Sequence, residues 1–452
     1  MLSSIHDPST WEPLVALLLN RQGAPGGPLT GRISQGSWSL PQTEPRLSRA
    51  ALRGGLQREL VGNMRGDQDA VEPVIQALKS DGTDEVSFVL EKAAGRALLR
   101  VRLPSPAVQS GGSAYPGALI LVEGAIPAPW RRRPEPALDA VPAPSADPEL
   151  LERTLRERLP DAEAATGEEI AAAESRLGVA LPDELKAVYR VVRERPEPLD
   201  EEGEVGFDLL SPDRLHVVEP ASRYSPWPYA ATEAAVTVPG ASVQGLVGSP
   251  GWIVFGTTVG GDDYAVDLTP APAGHLGQII LLIHEEEVGA HLAAESLTDL
   301  VVHKRAANDD DIPRADEPPY VARINDRDLR STAAAADPRL EVLCVGSWSG
   351  EPLRLGPVVG LPGLRTLTAS PGTLADPTEI GRLTGLEFLS VGPAEWRTLL
   401  DADAVPRTLA AAAIEEYGHG AGPLEIEALA NEILASFGRP QITRFALGFD
   451  LA

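Results

Sequence analysis

The chain has 452 residues, 43% of them hydrophobic, which is more than one core usually serves, so two or three domains are expected. Its 65 acidic against 39 basic side chains give a formal net charge of -26, a field that repels phosphate backbones, argues against nucleic-acid or anionic-membrane partners, and draws in basic proteins. The single cysteine, Cys344, excludes an internal disulfide. With no basic stretch ahead of the first apolar residues and no run long enough to span a bilayer, a cytoplasmic location without a signal peptide is expected.

In chain order, Trp11, Leu14, Val15 and Leu18 recur at helical spacing, as do Val71, Val74, Ile75 and Leu78. EVSFVL and ALLRVRL then read as strands turned at Gly95, and GALILVEG as a further strand. RRRPEPALDAVPAPSADP, residues 131–148, reads as a Pro/Ala-rich linker. EEIAAAESRLG reads as a helix with Gly178 as its C-terminal cap, and VALPDELKAVYRVV as a second whose buried stripe is Leu185, Val188, Tyr189 and Val192. Strands follow at FDLL, GWIVFGT, YAVDL and GQIILLIH, then an amphipathic SLTDLVVHKR. AANDDDIPRADEPP, residues 306–319, reads as an acidic, Pro-rich linker. Beyond it, PRLEVL, PGLRTL and TGLEFL place leucines at 340 and 343, 364 and 367, and 386 and 389, a spacing in the range of leucine-rich repeats. A helix, LEIEALANEILASFG, and a strand, ITRFALGF, close the chain.

The expected organisation is α+β and multi-domain. An α+β domain over 1–130 and a linker over 131–149 precede a central domain of helices and antiparallel-rich sheet over 150–305. A second linker over 306–319 leads to a leucine-rich-repeat-like domain over 320–452.

EEIAAAESRLGVALPDELKAVYRVV, a helix leading through Leu-Gly to Leu-Pro and an acidic-Leu pair, resembles the opening of the SUKH superfamily. PGWIVFGTTVGGDDYAVDLTPAPAGHLGQIILLIHE resembles its central sheet: an aromatic-led strand, a Gly-Asp turn, and a strand ending in Asp-Leu with Pro behind. The resemblance covers about residues 166–303. The chain departs from the family's Asn/Asp-Gly-rich turn after the second helix, carrying RERPEPLDEEGEVG there. The resemblance implies a non-enzymatic domain that binds proteins. As an immunity protein it would neutralise a secreted toxin, such as a basic nuclease domain; as a relative of the yeast cell-wall-assembly regulators it would be an adaptor or scaffold.

Three carboxylates beside a double glycine, Asp262, Asp263 and Asp267, offer an alternative, an enzyme in which they form an acid/base or cation-binding set. Read structurally, the first two are turn residues and Asp267 ends a strand, where its carboxylate accepts backbone N–H groups. HEEEVGAH lacks the His-Glu-x-x-His spacing of a zinc helix, since Val288 stands four after His284, and GSWSG centres on Trp348 rather than serine. Neither a cofactor nor a metal is expected. Trp252, leading an apolar strand, is expected in the core. Trp227 and Tyr229 in a Pro-rich loop, with Asp262, Asp263 and Tyr264, are the expected partner contacts, because rings held near prolines and carboxylates bury large area at little entropic cost.

Overall fold

The computed structural model describes residues 4–20, 28–41, 56–93, 95–109, 115–195, 207–305, 320–415 and 420–451. The expected linker 306–319 and most of the divergent loop, 196–206, lie outside the described residues. The fold is α+β and multi-domain, with three sheets among the described residues.

The N-terminal sheet is antiparallel, in the order Arg444–Asp450, Arg96–Arg102, Glu85–Ala93, Leu29–Ser34 and Trp38–Ser39. Helices Pro8–Asn20 and Leu56–Asp81 cover it. Trp11, Leu14 and Leu18 meet Val71, Val74 and Leu78 over Phe88, Leu99 and Val101, as their helical and two-residue periods require. The strand that closes this sheet comes from the far end of the chain. Leu447 of Arg444–Asp450 stands opposite Leu99, so the final strand completes the N-terminal domain rather than the C-terminal one.

In the central domain, helix Gly167–Leu177 begins in a Thr166/Glu169 capping box and ends at Gly178, whose φ of 72° is the left-handed cap glycine tolerates. Helix Asp183–Tyr189 follows. The antiparallel sheet runs His291–Ala294, Gln278–Leu282, Asp263–Asp267, Ser249–Thr257, Asp208–Leu209, with His216–Val218 also on Ser249–Thr257. Strand Ser249–Thr257 is buried on both faces. Ile253 and Phe255 pack under the helices with Leu185 and Val188, while Trp252 and Val254 join Ala265 and Ile280 on the other side. Buried Glu184 ties helix Asp183–Tyr189 to the start of the helical segment Asp299–His303, accepting hydrogen bonds from Leu297 N (3.1 Å), Thr298 N (3.0 Å) and Thr298 Oγ1 (2.5 Å).

The third sheet is parallel through Val321–Ile324, Val342–Val345, Thr366–Ala369, Phe388–Val391 and Ala411–Ile414. Leu343, Leu367 and Leu389 stand in register, facing a core that also holds Leu340, Leu364, Leu386 and Trp396. Leu119–Ile120, expected as an N-terminal strand, instead pairs antiparallel with Ala411 and Ala412.

The expected boundaries at 130 and 320 are thus crossed twice by strand pairing. Nor is 131–148 a free spacer. Arg131 pairs with Glu387 and Arg132 with Glu341 (2.7 Å), Glu135 exchanges hydrogen bonds with Gln244, Val141 O accepts from Leu276 N (3.0 Å), and Ala143 is buried. Proline restricts this strip, and the backbone of Glu135 and Val141 bonds to neighbouring loops.

A chain ending at Thr443 tests the crossing. Amide exchange protection of Arg96–Arg102 should fall about 100-fold while Thr366–Ala369 stays protected. Unchanged protection at Arg96–Arg102 would show that the last strand is dispensable to the sheet.

Candidate functional site

The turn between the two middle strands of the central sheet is Thr258–Asp262, closed by Thr258 N donating to Asp262 O at 2.7 Å, with Gly261 at φ 95°. Asp262 accepts from the backbone N–H of His284 (3.0 Å) and from its Nδ1 (2.7 Å). Those bonds hold its carboxyl below the ordinary range, and the carboxylate in turn raises the imidazole. Beside this pair opens a cleft of about 380 Å³, walled by His216, Arg223, Tyr224, Asp263, His284 and Glu287. Arg223 braces it, donating to the carbonyls of Val247 (3.0 Å), Gly289 (3.2 Å) and Glu286. Ser225 holds Glu287 at 2.7 Å. Asp263 is half-buried, and that burial raises its pKa. Tyr224 projects into solvent with 73% of its surface exposed.

The five expected contact residues separate into different environments. Asp262 and Asp263 meet at the mouth of this cleft. Tyr264 follows on the same strand, and the two-residue period turns it to the opposite face, where its ring lies 4.9 Å from Phe207 under the helices. Tyr229 is on the surface, 64% exposed, on the short helix Trp227–Ala230. Trp227 faces inward. It is 3% exposed and stacked on Phe388 of the parallel sheet at 6.1 Å, with Ala118, Ala231 and Ala411 around it. The Pro-rich loop that suggested an exposed aromatic instead carries the seam between two sheets. Buried Arg365 reinforces that seam, donating to Ala231 O (3.0 Å) and Glu233 O, as does Thr366 Oγ1 to Ala231 O (2.7 Å).

The three carboxylates weighed as a catalytic set are not gathered. Asp267 lies four residues along an extended strand from Asp263, about 13 Å away. It is fully buried and accepts from Thr269 N (2.7 Å), Thr269 Oγ1 (3.2 Å) and Gln278 Nε2 (2.9 Å). Trp252 is likewise fully buried. Among the described residues no group of three or more His, Cys, Asp or Glu side chains is placed to hold a metal ion.

A capping-box helix, a second helix with a buried tyrosine and glutamate, and an antiparallel sheet with a Gly-Asp turn make up this domain. Residues 164–302 match the family model of the SMI1/KNR4 family (SUKH-1). This part of the chain is a SUKH domain. Domains of this kind are in general binding domains without catalytic activity, and they mediate protein interactions. No curated protein matches the chain. No helix among the described residues is long and apolar enough to cross a membrane.

Arg223 and Tyr224 join Asp263 in the cleft although forty residues separate them in the chain. Tyr224 opens the same Pro-rich loop, YSPWPYA, that holds Trp227 and Tyr229, whereas no pattern in the sequence singles out Arg223. Tyr224, Asp263 and His284 line the cleft, and Tyr229 stands exposed beside the seam.

Two substitutions separate seam from surface. Trp227→Ala should lower unfolding free energy by about 3 kcal/mol, because it empties a packed aromatic site, whereas Tyr229→Ala should stay within about 0.5 kcal/mol. Equal effects in urea unfolding would place Trp227 on the surface. Burial pushes Asp267 up to about 6, above its unfolded value. Its contribution is thus fully present below about pH 4 and is lost as pH rises through about 6, by about 3 kcal/mol in all. The stability of the wild-type chain relative to Asp267→Asn should fall across that window; a flat difference would mean the carboxyl is not desolvated.

Proposed function

We propose that the chain is a protein-binding protein of the toxin-immunity type, which captures a secreted toxin domain at the Asp263 cleft of its SUKH domain and blocks its activity. The supporting observation is the cleft itself, an opening at one edge of a rigid sheet that combines an exposed tyrosine with carboxylates already part-desolvated. Such a wall suits a basic partner: Tyr224 supplies area and a polar tip, and a half-buried carboxylate gains more from an incoming cation than a solvated one does. The net charge of -26 favours the same class of partner by steering its approach. The cytoplasm, where an immunity protein meets its toxin, is the expected compartment. We read the parallel sheet as leucine-rich-repeat-like, on the register of Leu343, Leu367 and Leu389, and assign it the role of a rigid support.

Co-expression with a toxin domain encoded beside this chain should restore growth. The triple variant Tyr224→Ala, Tyr229→Ala, Asp263→Asn should weaken the complex at least about tenfold without lowering the melting temperature, since these positions carry little of the core. Association should slow with added salt while dissociation changes less. Tight binding unaffected by the triple variant would move the interface off this cleft, and absence of any protection would favour the adaptor role instead.

A further inference from the structure

A second opening, of about 1000 Å³, lies between residues 125–134 and the loop 219–227. It is walled by Ile126, Pro127, Trp130, Pro134, Pro220 and Tyr224. Trp130 is pinned there by its indole N–H, which donates to Arg223 O at 2.7 Å, so its orientation is set in advance. Of the seven large apolar side chains most exposed among the described residues, six fall in 122–141 or 224–229, among them Ile126 at 50% and Tyr224 at 73%. Two of these, Ile126 and Tyr224, line the opening itself, one on each of its two walls, and so put exposed apolar surface at a concave site.

Charge gives the occupant a sign. Of the three arginines that line the groove, Arg131 is paired with Glu387 and Arg132 with Glu341. Arg133 is exposed and has no carboxylate partner among the described residues. One carboxylate, Glu219, shares the lining but makes no ion pair with Arg133, so the guanidinium on this aromatic and proline wall is left for a carboxylate from outside. The wall itself calls for flat apolar rings. Aromatic and proline faces flanking a shallow groove are complementary to polyproline II chains, whose extended form is already populated and loses little entropy on docking.

We propose that this groove binds an extended, proline-rich acidic peptide segment of a partner protein, with its prolines against Trp130, Ile126 and Pro220 and a carboxylate on Arg133. This surface is separate from the Asp263 cleft in charge and in most of its lining; only Tyr224 borders both.

The test uses the full chain and a fluorescein-labelled peptide of four Pro-Pro-Glu repeats, read by anisotropy. Peptides of four Ala-Ala-Glu repeats and four Pro-Pro-Lys repeats serve as controls for conformation and charge. Binding of the Pro-Pro-Glu peptide should saturate and be at least about tenfold tighter than either control, and Ile126→Glu and Arg133→Glu should each weaken it about tenfold or more. Both variants are exposed and lie outside the Asp263 cleft, so toxin capture there should persist when they fail to bind peptide. Lack of saturable binding, equal binding of a control, or affinity indifferent to both variants would overturn the proposal. So would a dimer in sedimentation that Ile126→Glu dissociates, because the occupant would then be a second copy of this chain.

Discussion

The stacking of Trp227 on Phe388, with Arg365 donating to the carbonyls of Ala231 and Glu233, fixes the SUKH domain to the parallel sheet. Much of what the molecule offers to others follows from it. A parallel strand array presents one face to its core and leaves the other open; here the loop 227–233 covers part of that open face, and buried Arg365 and Thr366 donate to its carbonyl groups. The seam consumes Trp227. It leaves the Asp263 cleft and the larger opening beside Trp130 on either side of Tyr224.

The same seam is supported by strand pairing that ignores sequence order. Arg444–Asp450 closes the N-terminal sheet and Leu119–Ile120 extends the C-terminal one, so the first and last regions of the chain are interlocked. Arg439, between the last helix and the last strand, adds an ion pair to Glu123 at 3.0 Å and a hydrogen bond to Ile120 O. Such an arrangement makes the SUKH domain a fixed part of a larger body, in which a loop can hold aromatic rings rigidly for recognition.

Local periodicity was enough to find most of the elements. The two SUKH helices, with Gly178 as cap, and the strands around Trp252, Tyr264 and Ile280 stand where the apolar periods and turn glycines put them, and the in-register leucines at 343, 367 and 389 follow from spacing alone. Partner choice was not legible. ITRFALGF reads as a strand from its own pattern, yet nothing within eight residues says that Leu99, more than three hundred positions earlier, is its neighbour. Composition misled at two places for one reason: proline-rich stretches satisfy few hydrogen bonds of their own, and that is true both of free linkers and of strips laid against a surface. Residues 131–148 and the loop holding Trp227 are of the second kind. At the site, Asp262 and Asp263 were visible as turn carboxylates, while the face on which each neighbour lies depends on register, which sent Tyr264 to the helices and Asp263 to the cleft.

The central claim is that a protein partner is held at the edge of the SUKH domain. Hydrogen–deuterium exchange on the full chain, with and without a toxin domain encoded beside it, tests it most directly. The account expects new protection confined to residues 216–229 and 261–287, with exchange in Thr366–Ala369 and Phe388–Val391 unchanged. Protection centred on the parallel sheet, with the cleft unaffected, would contradict it.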